Sequence, residues 1–333
     1  MKVTVIGSGS WGTALAQVLA DNRHEVCIWG TELDEVVDIH MYHQNEKHFP
    51  GVHIHENIKA TNDLKSISDA QMVVFAIPSG FVQDACELIN TYFLKPVIIV
   101  NTASDFHPLT HQRCSNVIRK TIKPELLKGV ASIFGPSNAQ EVIRRMYTGI
   151  EVAGIDPAVL LLVQDVFTTD YFDVSLNSDE IGCESVAALQ SVMAIACGIL
   201  IGLGFKENAR AALLTQGLAE MKRYGIHCGG KPETYLGLCG IGDLIATCTG
   251  SQSRNFQAGL SIGKADSAKV FWDTHNTTLE GPKTTRIIYE ETRKSQIDMP
   301  ITQQIYRILY ENVLPSQVLK SLLKRDIEGE QTA

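Results

Sequence analysis

The sequence predicts an α/β protein in which a parallel-sheet domain is followed by an all-helical one. Two observations lead there. Short β-branched runs alternate with helical patterns through the first half of the chain, the signature of strands joined by crossover helices. From Asp179 onward the strand signal vanishes and apolar residues recur at helical spacing.

Taken in order, Lys2–Ile6 reads as a strand, Ser10–Asp21 as a helix and residues 26–29 as a second strand. Apolar runs at 72–77, Val97–Asn101, 131–134 and 150–152 continue the series, which stops near Ser178. Residues 181–204 are nearly uncharged and rich in Ala, Val and Ile, interrupted by Glu184 and Gln190. A helix apolar all round belongs in the middle of a helical domain. Residues 206–223 follow as an amphipathic helix with Leu213, Leu214, Leu218 and Met221 on one face. Further helices are expected over 282–294, 302–310 and 315–324, and the polar tail after Asp326 is expected to fray.

Composition narrows the function classes. A chain of 333 residues is too long for one ordinary core and fits about two domains. With 44% hydrophobic residues it can bury a large core, which excludes disorder as its main state. The 29 basic against 37 acidic residues give a net charge of −8, which argues against nucleic acid or an anionic membrane as partner. No signal peptide and no membrane-spanning run of about 18 apolar residues is expected. The eight cysteines include no CxxC pair and read as free, mostly buried thiols of a soluble cytoplasmic protein. His40/His43 and His53/His55 have metal-compatible spacing, but nothing nearby completes a set, so no metal is expected.

The chemistry begins at Gly7-Ser8-Gly9-Ser10-Trp11-Gly12, between the first strand and the first helix. Gly7 permits the tight turn, Gly9 lets a pyrophosphate approach the backbone, and Gly12 allows close helix–strand packing. The helix N-terminus offers N–H groups to phosphates. This is a Rossmann-like dinucleotide-binding pattern, and we place that domain at 1–178 and the helical domain at 179–333. Glu32 follows Gly12 by about 20 residues, where an acid can bind the adenosine ribose and favour NAD over NADP. A glutamate stabilised by the dipole of the next helix explains Glu32 equally well.

Eight ordered blocks then carry a resemblance over nearly the whole chain. They are GSGSWGTALA near the start, FPGVHIHENIKATNDL (49–64), AIPS (76–79), FGPSNAQE (134–141), FKENARAALLTQGLAEM (205–221), GIGDLIATCTGSQSRN (240–255), LEGPKTTR (279–286) and MPIT (299–302). The sequence resembles the bacterial NAD(P)-dependent glycerol-3-phosphate dehydrogenases. The resemblance implies a dinucleotide fold joined to a helical substrate domain, with the site in the cleft between them. It implies reversible hydride transfer between NAD(P)H and dihydroxyacetone phosphate, giving sn-glycerol 3-phosphate for phospholipid synthesis. It further implies NAD or NADP as cofactor and a small phosphorylated substrate as partner, and a homodimer without membrane insertion is expected. Ser10, Trp11, Ala139, Arg254 and Glu280 would lie against the cofactor. Gly135, Ser137, Asp243, Ser253, Arg254 and Asn255 would surround the substrate, with Gln190, Asp243 and Thr247 at the reacting centre. Arg254 suits a phosphate because its planar fork supplies several donors. A capped surface helix start is the plainer explanation of the SQSRN block, as helix packing is of Thr247.

The sequence also departs from that family. Where the family carries a T-K-G block, this chain reads Asn101-Thr102-Ala103-Ser104-Asp105, so the lysine position is Ala103. The family's catalytic lysine in G-G-A-x-K-N corresponds to Gln190 of Val186-Ala187-Ala188-Leu189-Gln190-Ser191. The aromatic expected after G-P-[ST] is Asn138, and the basic residue for a 2′-phosphate is Thr31. Losing one preorganised donor of this kind costs ~10²–10³ in rate. Gln190 can still donate a hydrogen bond but cannot deliver a proton. Lys283 is the nearest candidate for a relocated cation, with a solvated helix-start lysine as the alternative. Three readings follow: a working dehydrogenase with a rearranged site, a dehydrogenase of another substrate, or a catalytically impaired dinucleotide binder.

Overall fold

The computed structural model describes residues 1–250, 253–274 and 279–322. It divides into two compact units, Met1–Glu184 with Gly237–Cys239, and Ser185–Leu236 with the described residues from Gly240 on. The division falls inside one long helix.

The first unit is built on eight strands: β1 (Lys2–Ile6), β2 (Glu25–Trp29), β3 (Lys59–Thr61), β4 (Met72–Phe75), β5 (Val97–Asn101), β6 (Leu127–Phe134), β7 (Thr148–Ala153) and β8 (Phe172–Asn177). Its helices are α1 (Ser10–Asp21), α2 (Leu33–Tyr42), α3 (Val82–Tyr92), α4 (Cys114–Thr121), α5 (Ala139–Val142) and α6 (Pro157–Phe167). The strand order is β3-β2-β1-β4-β5-β6-β7-β8. The sheet is parallel, as expected, apart from the single antiparallel pairing of β6 with β7. The chain returns from β6 through short α5 alone, and adjacent antiparallel strands need no long crossover.

Every residue of β4 and β5 is buried, as both-face coverage requires. Successive side chains point to opposite faces. Met72 and Val74 join a cluster with Leu15, Leu19 and Ile28, while Val73 and Phe75 pack with Cys86, Ile89 and Ile118. The sheet order reverses between β1 and β4, so the loop after β1 sits at the topological switch point where such sheets bind ligands. Strands β3 and β8 were not expected. The first has only three residues and the second is a half-exposed edge strand, so neither carries the buried-strand pattern.

The second unit begins within α7 (Glu180–Gly202) and continues with α8 (Glu207–His227), α9 (Asp243–Thr249), α10 (Arg254–Ala265), α11 (Lys269–Thr274), α12 (Gly281–Ser295), α13 (Pro300–Tyr310) and α14 (Pro315–Leu322). The expected end of the last helix at 324 and the tail after Asp326 lie outside the described residues. Residues 185–202 carry no charge, and α7 is long and apolar enough to cross a membrane, contrary to expectation. Its most apolar 18-residue window is 89% buried within the protein, the setting of a core helix.

The buried face of α8 also differs from its apolar pattern. Leu213, Gly217, Glu220, Met221 and Tyr224 are buried, while Leu214 and Leu218 are only partly so. Gly217 lets α8 approach the Met193 side chain of α7, since an added Cβ would lie 2.9 Å from its sulfur. Buried Glu220 accepts the Ile301 and Thr302 N–H groups at the start of α13, a cap that apolar periodicity cannot reveal.

Helices α7 and α10 meet backbone to backbone. A Cβ on Gly259 would lie 2.2 Å from the Ile195 carbonyl oxygen, and one on Gly198 would lie 2.1 Å from that of Phe256. This contact fixes where α10 begins. Gly259→Ala should therefore lower the unfolding free energy by about 1–3 kcal/mol, measured by urea denaturation; unchanged stability would show that α10 can shift freely.

Candidate dinucleotide and substrate sites

In the sheet unit, the turn after β1 requires glycine for steric reasons. Gly7 has φ of 118°, and a Cβ there would lie 2.3 Å from the Ala76 carbonyl oxygen. A Cβ on Gly12 would lie 2.0 Å from the Gly7 carbonyl oxygen. Gly9 differs, because no atom lies within 4 Å of its Cβ position and no side chain caps α1. Its open surroundings and the uncapped helix start suit an approaching phosphate.

Ser10 and Trp11 open α1, and Trp11 packs against the same apolar cluster as Ala139. Ala139 is the first residue of α5, which Asn138 caps by accepting the Gln140 N–H at 2.9 Å. Gly135 has φ of 139°, and its carbonyl accepts the Ser137 hydroxyl at 3.1 Å. Glu32 precedes α2, exposed and making no capping bond.

A second acid was missed by the sequence reading. Glu35 is 6% exposed; its Oε2 accepts the Ser8 hydroxyl at 2.5 Å and its Oε1 accepts Lys47 Nζ at 2.6 Å. His48 Nε2 lies 3.2 Å from the same Oε1. Buried Asn45 donates from Nδ2 to the Ser8 carbonyl at 2.9 Å and to the Thr13 hydroxyl at 2.8 Å. The glycine loop is thus anchored from beneath at both the side chain and the backbone of Ser8. Desolvation alone would raise the Glu35 pKa, but the hydrogen bonds from Lys47 and Ser8, with the charge of His48, bring it below the ordinary 4.5. These anchors lie too far from the loop in sequence for any short motif to signal them.

Ala103 is 8% exposed in the apolar cluster beside β4 and β5, its N–H and carbonyl both bonded to the Asn101 side chain. Ring nitrogens of the histidine pairs meet backbone groups: His53 Nδ1 lies 3.1 Å from the His43 carbonyl oxygen, His40 Nδ1 accepts the Ala60 N–H and His55 Nδ1 accepts the Asn57 N–H.

In the helical unit, Gln190 is 4% exposed and donates from Nε2 to the Gly240 carbonyl at 3.0 Å. Gly240 belongs to a π-helical turn, Leu238–Gly242, whose tight packing leaves a Gly240 Cβ only 2.3 Å from the Tyr235 carbonyl oxygen. The turn leads directly into Asp243 at the start of α9. Asp243 Oδ1 accepts the Thr247 hydroxyl at 3.0 Å. Desolvation pushes the Asp243 carboxyl up to about 7, the Thr247 bond offsetting it only in part. Gln190, Asp243 and Thr247 are therefore linked through one turn.

Ser253 caps α10 by accepting the Phe256 N–H at 3.2 Å, as the plainer reading of its motif supposed. Arg254 is exposed. Asn255 lies against the start of α12, where a Cβ on Gly281 would come within 2.5 Å of its Oδ1. That oxygen is buried and has no hydrogen-bond partner among the described residues. Asn255 is thereby brought beside Gly281, while Ser251 and Gln252 of the same motif lie outside the described residues. Helix α7 supports both groups. Gln190 holds the π-helical turn and Ile195 touches Gly281, about 7.5 Å further along the axis. Lys283 is exposed in the first turn of α12, as a solvated lysine would be.

A sheet with an open glycine loop at its switch point, and a helical unit carrying a desolvated carboxyl and an Arg–Asn pair, define a two-domain NAD(P)-dependent dehydrogenase. Comparison with known proteins narrows the class. The N-terminal and C-terminal profiles of the NAD-dependent glycerol-3-phosphate dehydrogenases match residues 2–159 and 179–320. The chain belongs to that family. It is 39% identical over 330 residues to the glycerol-3-phosphate dehydrogenase [NAD(P)+] of Enterococcus faecalis, covering 99% of this chain and 97% of the relative. The Staphylococcus aureus enzyme of that name is also 39% identical, with 99% of both chains covered. The crystal structure of glycerol-3-phosphate dehydrogenase from Coxiella burnetii superposes with a TM-score of 0.89 at 33% identity, covering 97% of this chain and 99% of that one.

The open surroundings of Gly9 make a clean test. Gly9→Val should leave thermal stability nearly unchanged and abolish NADH binding in calorimetry; retained affinity would exclude this loop as the pyrophosphate site. Glu35→Gln should cost about 1–2 kcal/mol near pH 7. Because the folded-state pKa of Glu35 is depressed, the wild-type advantage is present above pH 4.5 and lost as pH falls through the lower folded value, which urea denaturation across pH checks.

Proposed function

We propose that this chain is a glycerol-3-phosphate dehydrogenase, reducing dihydroxyacetone phosphate to sn-glycerol 3-phosphate with NADH or NADPH. The observation that carries the reading is the family match over both parts of the chain, within which the Thr247-bonded Asp243 carboxyl, pushed up to about 7 by desolvation, can serve the proton. Hydride addition to a carbonyl carbon leaves an oxygen that needs a proton. A group titrating near neutral pH can give that proton and take it back in the reverse direction. Gln190 cannot, and its amide is already directed at the Gly240 carbonyl.

The dinucleotide fits the chain's own features. Gly7, Gly9 and Gly12 with the start of α1 would hold its pyrophosphate, while Trp11 and Ala139 would lie along it. Bound there, the nicotinamide supplies the hydride. Glu32 and the absence of a basic side chain at Thr31 favour NADH over NADPH, since an acid repels a 2′-phosphate. Arg254, with Asn255 and Ser253 beside it, is our choice for the substrate phosphate. Thr247 keeps the Asp243 carboxyl oriented.

One observation favours a second reading. Neither Ala103 nor Gln190 offers a cation, and both are fixed by backbone hydrogen bonds. A substrate less dependent on a second positive charge, or dinucleotide binding without turnover, would suit such a site.

Steady-state NADH oxidation with dihydroxyacetone phosphate separates the two. Reduction needs protonated Asp243, so kcat should be highest below about pH 7 and fall above it, with the opposite trend for glycerol 3-phosphate oxidation. Asp243→Asn should remove that ionisation and lower kcat by ~10²-fold or more. Gln190→Lys should raise kcat by ~10²-fold by restoring a charged donor. No turnover in either wild type or Gln190→Lys, with NADH still bound, would favour the second reading.

A further inference from the structure

Three side chains outside the proposed site converge in the interior of the sheet unit. Glu151 on β7, Cys183 in the first turn of α7 and Cys239 in the π-helical turn are all buried, and their ligand atoms lie within 4.8 Å of one another. The two sulfurs are 3.3 Å apart, and Cys183 Sγ lies 3.8 Å from Glu151 Oε2. We propose that Glu151, Cys183 and Cys239 form a binding site for a thiophilic divalent cation of the Zn²⁺ type.

The donor set suits that chemistry. Two thiolates and a carboxylate are established ligand types for Zn²⁺, and the soft sulfurs disfavour Mg²⁺ and Ca²⁺. Zn–S bonds of ~2.3 Å at a tetrahedral angle place two sulfurs about 3.8 Å apart. The present spacing thus needs to open by only about half an ångström. The carboxylate is already aimed. Asn177 Nδ2 donates to Oε2 at 2.8 Å and the Leu238 N–H donates to Oε1 at 2.7 Å. Such outer hydrogen bonds orient ligating carboxylates in metal sites. The donors come from three distant parts of the sequence, which is why no spacing rule finds them. A cation there would tie β7 and the start of α7 to the short stretch Gly237–Cys239, which joins this unit from between two segments of the helical one.

Titration of the reduced full-length chain with Cd²⁺ is the direct test. We expect saturation at one ion per chain, a thiolate-to-cadmium band in the ultraviolet, and competition by Zn²⁺. Cys183→Ser and Cys239→Ser should each remove the band, whereas Cys27→Ser and Cys228→Ser should retain it. Glu151→Gln should weaken binding by about tenfold or more. X-ray absorption on the cadmium-loaded wild type requires no folded variant and should show two sulfur neighbours plus oxygen. Absence of the band at one equivalent would overturn the proposal. So would its survival in both Cys183→Ser and Cys239→Ser, a first shell without sulfur, or a Cys183–Cys239 disulfide in the purified protein that reductant must open before any ion binds.

Discussion

Helix α7 has no polar face, and much of the helical unit follows from burying it on every side. Each residue from 182 to 200 is buried, so each polar group there needs a partner in the interior. Ser191 donates its hydroxyl to the Ala188 carbonyl, and Gln190 reaches the Gly240 carbonyl. A buried amide deprived of its partner costs about 1–3 kcal/mol, so the Gln190 bond pins the π-helical turn to the helix. That turn sets Asp243. The same burial demand draws α10 against α7 through glycines, which places Arg254 and Asn255. Packing and site geometry in this unit share one cause.

The sheet unit meets a different constraint. Its glycine loop leaves the start of α1 without a side-chain cap, and a loop without side-chain contacts would be loosely held. Ser8 resolves this by facing inward. Glu35 receives its hydroxyl and Asn45 supports its carbonyl, while no atom crowds the Gly9 Cβ position. Rigidity is supplied from beneath and access is kept above, which is what preorganised binding requires.

Much of the architecture was legible because local pattern and global fold agree. Ser10–Asp21 and Val97–Asn101 have the bounds that their apolar runs predict, and the loss of strand signal after Ser178 follows the end of β8 at Asn177. The rest was hidden for identifiable reasons. Strand β3 is too short to show a period, and the antiparallel β6–β7 pair depends on a return path rather than on residue type. The buried stripe of α8 follows Gly217 and Glu220, which apolar periodicity ignores. Gly7 and Gly12 announced themselves because close backbone packing in the turn demands them. Glu35, Asn45 and the Glu151–Cys183–Cys239 cluster did not, since they are assembled by tertiary folding. The expectation that Ala103 and Gln190 stand where relatives carry cations came only from the family pattern; in the structure the Asn101 side chain holds the Ala103 backbone and the Gly240 carbonyl holds the Gln190 amide.

The central claim is that this chain moves hydride to a phosphorylated ketone while Asp243 handles the proton. The most direct measurement follows the hydride itself. NADH deuterated at the transferable nicotinamide position is incubated with the protein and dihydroxyacetone phosphate in ordinary water, and the product is analysed by mass spectrometry and NMR. The account predicts glycerol 3-phosphate carrying one deuterium, on carbon 2, with only one face of the nicotinamide serving as donor. Unlabelled product, or NADH that stays bound and unoxidised at saturating substrate, would contradict it.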